Sequence, residues 1–183
     1  ASALLAPYTL HRSAAGLAYA SAGTGEPTLS LHGGLGGWDQ SALLDLSLQG
    51  APKGRRSVAV ARPGYPGSTR AGRGDAEAQA RLCLALLDEL GVDRAVVSAI
   101  SGGGPVALAL ARLAPTRCRA LILTSACSGP MTSPVPLAMR AVIGLRRWPA
   151  VVDWMARRME RAPVRDAALA AALARDPQAA GLQ

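Results

Sequence analysis

Aromatic residues and lysine are scarce in this sequence. It has no phenylalanine, three tryptophans and three tyrosines, and Lys53 is its only lysine. A surface that stacks nucleic-acid bases needs aromatic side chains, and no run of five like charges occurs along the chain. The net charge of +8 therefore predicts a solvated surface rich in arginine, and we expect no nucleic-acid partner.

Cysteine is scarce as well. Cys83, Cys118 and Cys127 are odd in number and form no Cys-x-x-Cys pair. This usage is typical of core thiols in a reducing compartment, and it indicates neither a disulfide framework nor a zinc site. We therefore expect a cytoplasmic protein that uses no metal and no cofactor.

Long apolar runs are also lacking. The two longest uncharged stretches, residues 95–111 and 120–139, are interrupted by glycine or proline, so the sequence predicts no membrane span. The N-terminus has no basic segment followed by an apolar one, and we expect no export signal there.

What the sequence does contain is an alternation of short apolar strands and helices, in 183 residues that suffice for one core. Strands that are apolar throughout are buried on both faces, which predicts an α/β fold with a mostly parallel central sheet and helices on both faces. The expected strands cover residues 8–12, 17–22, 28–31, 57–61, 95–100 and 120–124. The expected helices cover residues 38–48, 76–90 and 103–114.

The helix expected over residues 76–90 has clear boundaries. Asp75 can cap its start, Gly91 stops it, and apolar residues recur at helical spacing: Cys83, Leu86, Leu87 and Leu90. The helix over residues 38–48 is less regular. Its spacing places Leu43, Leu44 and Leu48 on one side, and Asp39 is expected as its N-cap.

Ser101 stands where a buried strand meets a helix, between the small residues Ala99 and Gly103. A nucleophile elbow needs this arrangement, because the sharp turn leaves no room for larger neighbours. The N–H of Gly102 would then lie at a helix N-terminus, as one half of an oxyanion hole. Two alternatives stay open: a purely structural turn, and a dinucleotide-binding loop that lacks the acidic residue expected about 20 positions later.

A second glycine-rich loop, residues 32–37, follows the third strand. In the elbow architecture the other oxyanion donor comes from a loop at this place, and glycine lets the backbone approach the substrate oxygen. His32 is better suited to ordering this loop than to acting as a general base.

These segments together resemble the α/β-hydrolase family. The resemblance covers residues 8–128 and depends on four motifs in order: His32-Gly33-Gly34, Arg62-Pro63-Gly64-Tyr65-Pro66-Gly67-Ser68, Ile100-Ser101-Gly102-Gly103-Gly104-Pro105, and Ala114-Pro115 before Ala120-Leu121-Ile122-Leu123. It implies that Ser101 is the nucleophile and that Gly34 and Gly102 supply the oxyanion hole. It also implies that residues 1–129 form the N-terminal part of the hydrolase core and residues 130–183 a helical lid.

A serine at the elbow, where some family members carry aspartate, points to acyl transfer on an ester, thioester or lactone. In the lid, the resemblance makes Trp148, Trp154 and Met155 the lining of an apolar acyl pocket. A plain packing face and a membrane-surface helix remain alternatives for this segment.

One departure from the family is important. The fold orders its partners as Ser, then Asp or Glu, then His, yet no histidine follows Ser101. Either the sequence stops inside the lid, or the protein is a non-catalytic pseudoenzyme or interaction module. We predict that this chain alone hydrolyses esters weakly or not at all, and that it associates through an uncovered sheet edge.

Overall fold

The computed structural model describes residues 3–34, 36–128 and 140. The chain divides into two units, Ala1–Met131 and Thr132–Gln183, and the helices and strands given below all lie in the first. The expected lid, including Trp148, Trp154 and Met155, lies outside the described residues.

The nine expected elements are all present, each within two residues of its expected bounds. The strands are β1 Thr9–Arg12, β2 Ala18–Ala22, β3 Glu26–Leu31, β4 Arg55–Val60, β5 Ala95–Ile100 and β6 Cys118–Thr124. The α-helices are α1 Trp38–Gln49, α2 Ala76–Glu89 and α3 Gly104–Leu113. Short 3-10 turns cover Ala3–Leu5, Ser101–Gly103 and Pro115–Arg117.

The strands form one mixed sheet in the order β1-β2-β4-β3-β5-β6. β3 pairs in parallel with β4 on one side and with β5 on the other, and β5 pairs in parallel with β6. β1 and β2 are joined to this parallel part by antiparallel pairing. The connection after β3 leads to β4 on one side of it, and the connection after β4 leads to β5 on the other side. This reversal produces a crevice at the carboxyl ends of β3 and β5, where α/β sheets bind ligands.

One face of the sheet forms an aliphatic core with α2 and α3. Alternate residues of the strands, such as Leu29, Leu31, Val58 and Val97, pack there. α2 contributes most of the expected stripe, since Cys83, Leu86 and Leu87 are buried. The start of α2 is also as expected, because the Asp75 carboxylate accepts the backbone N–H groups of Glu77 and Ala78.

The other face of the sheet, under α1, carries small side chains, many of them polar, beside a minor apolar cluster that includes Ala20 and Ala42. Its buried side chains include Thr28, Ser30, Ser57, Ala59 and Ser98. α1 matches this surface with four buried residues: Ser41, Ala42, Leu44 and Asp45. Helices therefore cover both faces, as expected, but by different chemistry on each face.

One expectation for α1 is wrong, and the three leucines expected on one side of the helix differ in burial. Of the three leucines on one side, only Leu44 is buried, whereas Leu43 and Leu48 are 41% and 38% exposed. The sheet beneath has no wide apolar surface for them, and the helix turns its polar residues inward instead. Asp39 is not the N-cap: Gly37 holds that position without a side-chain bond, and Asp39 lies in the first helical turn.

β6 is less buried than its apolar sequence indicates. Among the described residues it pairs with β5 alone, and Leu123 is 41% exposed. The described part of the chain contains no helix with the length and hydropathy needed to cross a bilayer.

Candidate active site

Ser101 begins the turn that follows β5. Its φ is 51°, in the left-handed region that residues other than glycine rarely adopt. The side chain is partly exposed, and its hydroxyl has no hydrogen-bond partner among the described residues. The carbonyl oxygen of Ser101 accepts the N–H of Cys127 at 2.9 Å, which ties the turn to the segment after β6. A strained, accessible serine thus stands at the carboxyl end of β5.

The glycine two residues later is required by packing. A Cβ atom on Gly103 would stand 2.7 Å from the carbonyl oxygen of Leu31 and 2.8 Å from that of His32. The turn therefore lies directly on the end of β3. A Cβ on Gly104 would similarly stand 2.4 Å from the carbonyl oxygen of Cys127. Because the chain itself occupies this space, the structure argues against the dinucleotide alternative, in which the same backbone approaches a pyrophosphate.

The glycine loop after β3 reaches the serine. A Cβ on Gly33 would lie 3.2 Å from Cβ of Ser101. A Cβ on Gly102 would lie 3.6 Å from the backbone nitrogen of Gly34. The structure thus brings together the three residues that the sequence singled out: Ser101, Gly34 and Gly102.

The peptide between Gly33 and Gly34 is held in one orientation. The carbonyl oxygen of Gly33 accepts hydrogen bonds from Nδ1 of His32 at 2.8 Å and from Nη2 of Arg62 at 2.7 Å. In a planar trans peptide the N–H points opposite to the carbonyl, so the Gly34 N–H is directed away from His32 and Arg62. The carbonyl of Gly34 accepts the Tyr65 hydroxyl at 2.9 Å, which anchors the next peptide as well. The loop is therefore preorganised before any ligand arrives.

Gln40 anchors the same loop from α1. Its Oε1 accepts the backbone N–H of Gly33 at 2.9 Å. Sequence reasoning did not single out this residue, because nothing in the pattern of α1 distinguishes it from a solvent-facing glutamine.

His32 is fully buried, and both of its ring nitrogens are engaged. Nε2 accepts the backbone N–H of Arg62 at 2.9 Å, so Nδ1 carries the hydrogen that it donates to Gly33. Burial lowers the pKa of His32 from 6.5 to about 4; the hydrogen bond to Gly33 opposes this shift, and the nearby charge of Arg62 adds to it. The ring is thus neutral near pH 7 and has no free nitrogen for proton transfer.

Arg62 is a functional candidate that sequence reasoning missed. It is 6% exposed, and its guanidinium bonds Gly33, the Oε1 of Gln79 at 3.4 Å and the hydroxyl of Tyr65 at 3.3 Å. The guanidinium also lies 5.1 Å from the centre of the Tyr65 ring. The available signal was an arginine that directly follows a buried strand, in a segment that we used as a family motif without assigning a role to Arg62.

The described part of the chain places neither a second histidine nor a metal-binding cluster beside Ser101. His11, the remaining histidine, is on β1, where its Nε2 is 3.1 Å from Oγ of Ser21. Within residues 3–34 and 36–128, no group of three His, Cys, Asp or Glu side chains could hold a metal ion.

The sheet order, the strained serine after β5 and the glycine loop after β3 define an α/β protein of the hydrolase type. The sequence model of the α/β-hydrolase fold family matches residues 27–165. The chain therefore belongs to the α/β-hydrolase fold family.

Solved structures agree with this assignment. An α/β-hydrolase fold protein from Nakamurella multipartita is 35% identical, with a TM-score of 0.60 over 72% of this chain and 46% of that one. An epoxide hydrolase from an endophytic Streptomyces is 27% identical, with a TM-score of 0.51 over 63% of this chain and 36% of that one. An epoxide hydrolase from Vigna radiata, 24% identical with a TM-score of 0.59 over 77% and 48%, is similar in fold. None of the curated proteins matches the chain significantly.

The chain spans less than half the length of these three structural relatives.

Proposed function

We propose that the protein is a serine hydrolase in which Ser101 attacks an acyl carbon and forms an acyl-enzyme. The observation that supports this most directly is the left-handed φ of 51° at Ser101, beside the glycine loop. Backbone strain at a partly exposed nucleophilic residue is typical of functional turns. The N–H groups of Gly34 and Gly102 would bind the oxyanion of the tetrahedral intermediate, and loss of one such donor lowers rates by about 100- to 1000-fold in other hydrolases.

The chemistry of serine favours acyl substrates over epoxides, although two of the structural relatives are named epoxide hydrolases. If the Ser101 oxygen opened an epoxide, the product would be an ether, which water does not cleave under mild conditions. If it attacks an ester, the product is a serine ester, and water can attack its carbonyl in the same oxyanion hole. Only the second route returns the free enzyme.

The base for this reaction is not among the described residues. A serine hydroxyl has a pKa far above 7 and needs a base to become a good nucleophile. His32 cannot serve, since both of its nitrogens are bonded. We therefore propose that this chain alone turns over esters at the low rate that an oxyanion hole and substrate binding sustain.

For the substrate we propose a small apolar ester or related acyl compound. In this proposal Trp148, Trp154 and Met155 line the acyl pocket. The structure describes three free thiols, at Cys83, Cys118 and Cys127, which is consistent with a cytoplasmic location.

The test is covalent labelling of the 183-residue chain with a fluorophosphonate, read by intact mass and peptide mapping. We expect one adduct on Ser101, slow in buffer and faster with added imidazole, which replaces the base. Ser101→Ala should abolish the adduct. Ser125→Ala is the matched control, because Ser125 is the other described non-glycine residue with positive φ. Failure to label Ser101 even with imidazole would reject the proposal and favour the alternative, a non-catalytic pseudoenzyme or interaction module.

A further inference from the structure

A polar cavity of about 350 Å³ lies beside the oxyanion loop, and the proposed reaction does not use it. Gly34, the proposed oxyanion donor, is the residue of its wall that would take part in the proposed reaction. The rest of its wall comes from the loop after β4 and the start of α2: Arg62, Pro63, Gly64, Tyr65, Arg73, Gly74 and Gln79. The described residues of this wall include two arginines and no acidic residue.

Arg62 is buried, and no described residue gives it a negatively charged partner. Its guanidinium bonds a carbonyl, an amide oxygen and a phenol, all of them neutral, and its Nε has no hydrogen-bond partner in the part of the chain described. Burying a cation is unfavourable unless a counter-charge compensates for the lost hydration. Arg62 is only 6% exposed, and no described residue compensates for its buried positive charge.

Arg73 supplies the second positive charge. Its aliphatic stem lies against Gly64, where a Cβ atom would stand 2.7 Å from Cδ of Arg73. Glycine at position 64 thus allows the stem to lie along the cavity wall. Among the described residues no carboxylate pairs with Arg73. Asp75, the acid closest to it along the chain, accepts two backbone N–H groups at the start of α2.

Gln79 adds a further donor to the wall. A guanidinium only donates, so Gln79 must turn its Oε1 toward Arg62, and its side-chain NH2 stays available. The Tyr65 hydrogen is already given to Gly34. A cavity with two guanidinium groups and an amide NH2 is complementary to a ligand that accepts hydrogen bonds and carries negative charge.

We propose that this cavity is a binding site for a small oxyanion, a carboxylate or phosphate group, held between Arg62 and Arg73. Arginine binds both groups through paired hydrogen bonds, and the cavity is large enough for either. The bound anion would touch the residue that orients the Gly33–Gly34 peptide. The site is distinct from the serine chemistry, since no wall residue except Gly34 would take part in the proposed reaction, although Arg62 and Tyr65 also hold the loop that carries Gly34.

The test is calorimetric titration of the 183-residue chain with inorganic phosphate and, separately, with acetate, at ionic strength held constant with chloride. We expect saturable binding of at least one anion. Arg73→Gln should weaken it about tenfold or more, as expected for loss of a charge-assisted hydrogen bond. Arg70→Gln is the matched control, because it removes the same charge from an exposed position in the same loop that does not line the cavity.

The outcomes separate clearly. Binding that Arg73→Gln weakens and Arg70→Gln does not supports the site, and the preferred anion identifies phosphate or carboxylate as its ligand chemistry. Equal weakening by both variants, or no saturable binding of either anion, would overturn it. The titration is repeated on Ser101→Ala, where we expect unchanged binding, so failure of the serine hydrolase proposal leaves this result intact.

Discussion

The hydroxyl of Tyr65 donates a hydrogen bond to the carbonyl oxygen of Gly34 at 2.9 Å. This bond connects the loop after β4 to the loop after β3, whose residues are 31 positions apart in sequence. The Tyr65 ring also stands edge-on to His32 at 4.4 Å. Tyr65 therefore supports the proposed oxyanion donor Gly34 by holding the peptide that follows it.

The first prediction concerns this bond. Tyr65→Phe keeps the ring and removes the donor, so the peptide that follows Gly34 loses its anchor and the neighbouring Gly34 N–H is less well oriented. A neutral hydrogen bond contributes about 1 kcal/mol, and we expect fluorophosphonate labelling of Ser101 to slow about fivefold. Tyr8→Phe is the control, since it removes a tyrosine hydroxyl bonded to Ser57 and away from the loop. Equal labelling rates in Tyr65→Phe and the unaltered chain would contradict this role.

The second prediction concerns the contact between the elbow and β3. Gly103→Ala would place a Cβ within 2.8 Å of two backbone carbonyl oxygens, which cannot move without disturbing the strand. We expect the free energy of unfolding to fall by about 1–3 kcal/mol or more, as overpacking of a core does. Gly34→Ala is the matched control, because a Cβ there meets no atom of the described residues within 4 Å. Denaturant unfolding of both variants checks the difference, and equal effects would show that crowding is not the cause.

The sequence predicted the elements and the serine turn because these depend on local signals. The Ser-Gly-Gly-Gly run after an apolar strand specifies a sharp turn wherever the rest of the chain lies. The sequence could not predict the orientation of α1, because that orientation depends on the polar sheet face beneath the helix. This face is assembled from two strands, which contribute Thr28, Ser30 and Ser57. Arg62 was missed for the same reason, because its role depends on Gly33, 29 residues earlier.

The third prediction concerns the buried ion pair under α1. Asp45 is fully buried, accepts Thr28 at 3.1 Å and pairs with Arg55 at 2.8 Å. Asp45→Asn removes the charge and leaves a guanidinium that is 12% exposed without its partner. We expect a loss of about 3–5 kcal/mol in the free energy of unfolding.

Glu77→Gln is the control for this pair, because Glu77 pairs with the exposed Arg81 and Arg112 on the surface. Surface pairs contribute about 0–1 kcal/mol, so its effect should be small. A similar loss in both variants, measured by denaturant unfolding, would show that burial does not set the strength of the Asp45 pair.

The fourth prediction concerns the edge at β6. The described residues leave one side of this strand unpaired and Leu123 41% exposed, which favours pairing with another chain. We expect light scattering to give a mass above that of one 18.7 kDa chain, rising with concentration. Leu123→Lys should reduce this association. Leu48→Lys, at an exposed position on α1, should leave the association unchanged. An equal effect of both variants would show that the added charge acts through general solubility and not through the β6 edge.

The last prediction is a dependence of stability on pH that comes from His32. Burial holds its pKa at about 4 in the folded chain, against 6.5 when unfolded, so between these values the unfolded chain binds more protons. The contribution of the neutral, doubly bonded ring is therefore complete above pH 6.5 and is lost as the pH falls toward 4. We expect the melting temperature to fall over this interval, and to fall less steeply in His32→Gln, which cannot take up that proton. His11→Gln is the control that removes the other histidine and should keep the full slope. Parallel curves for His32→Gln and the unaltered chain would show that protonation of His32 is not coupled to unfolding.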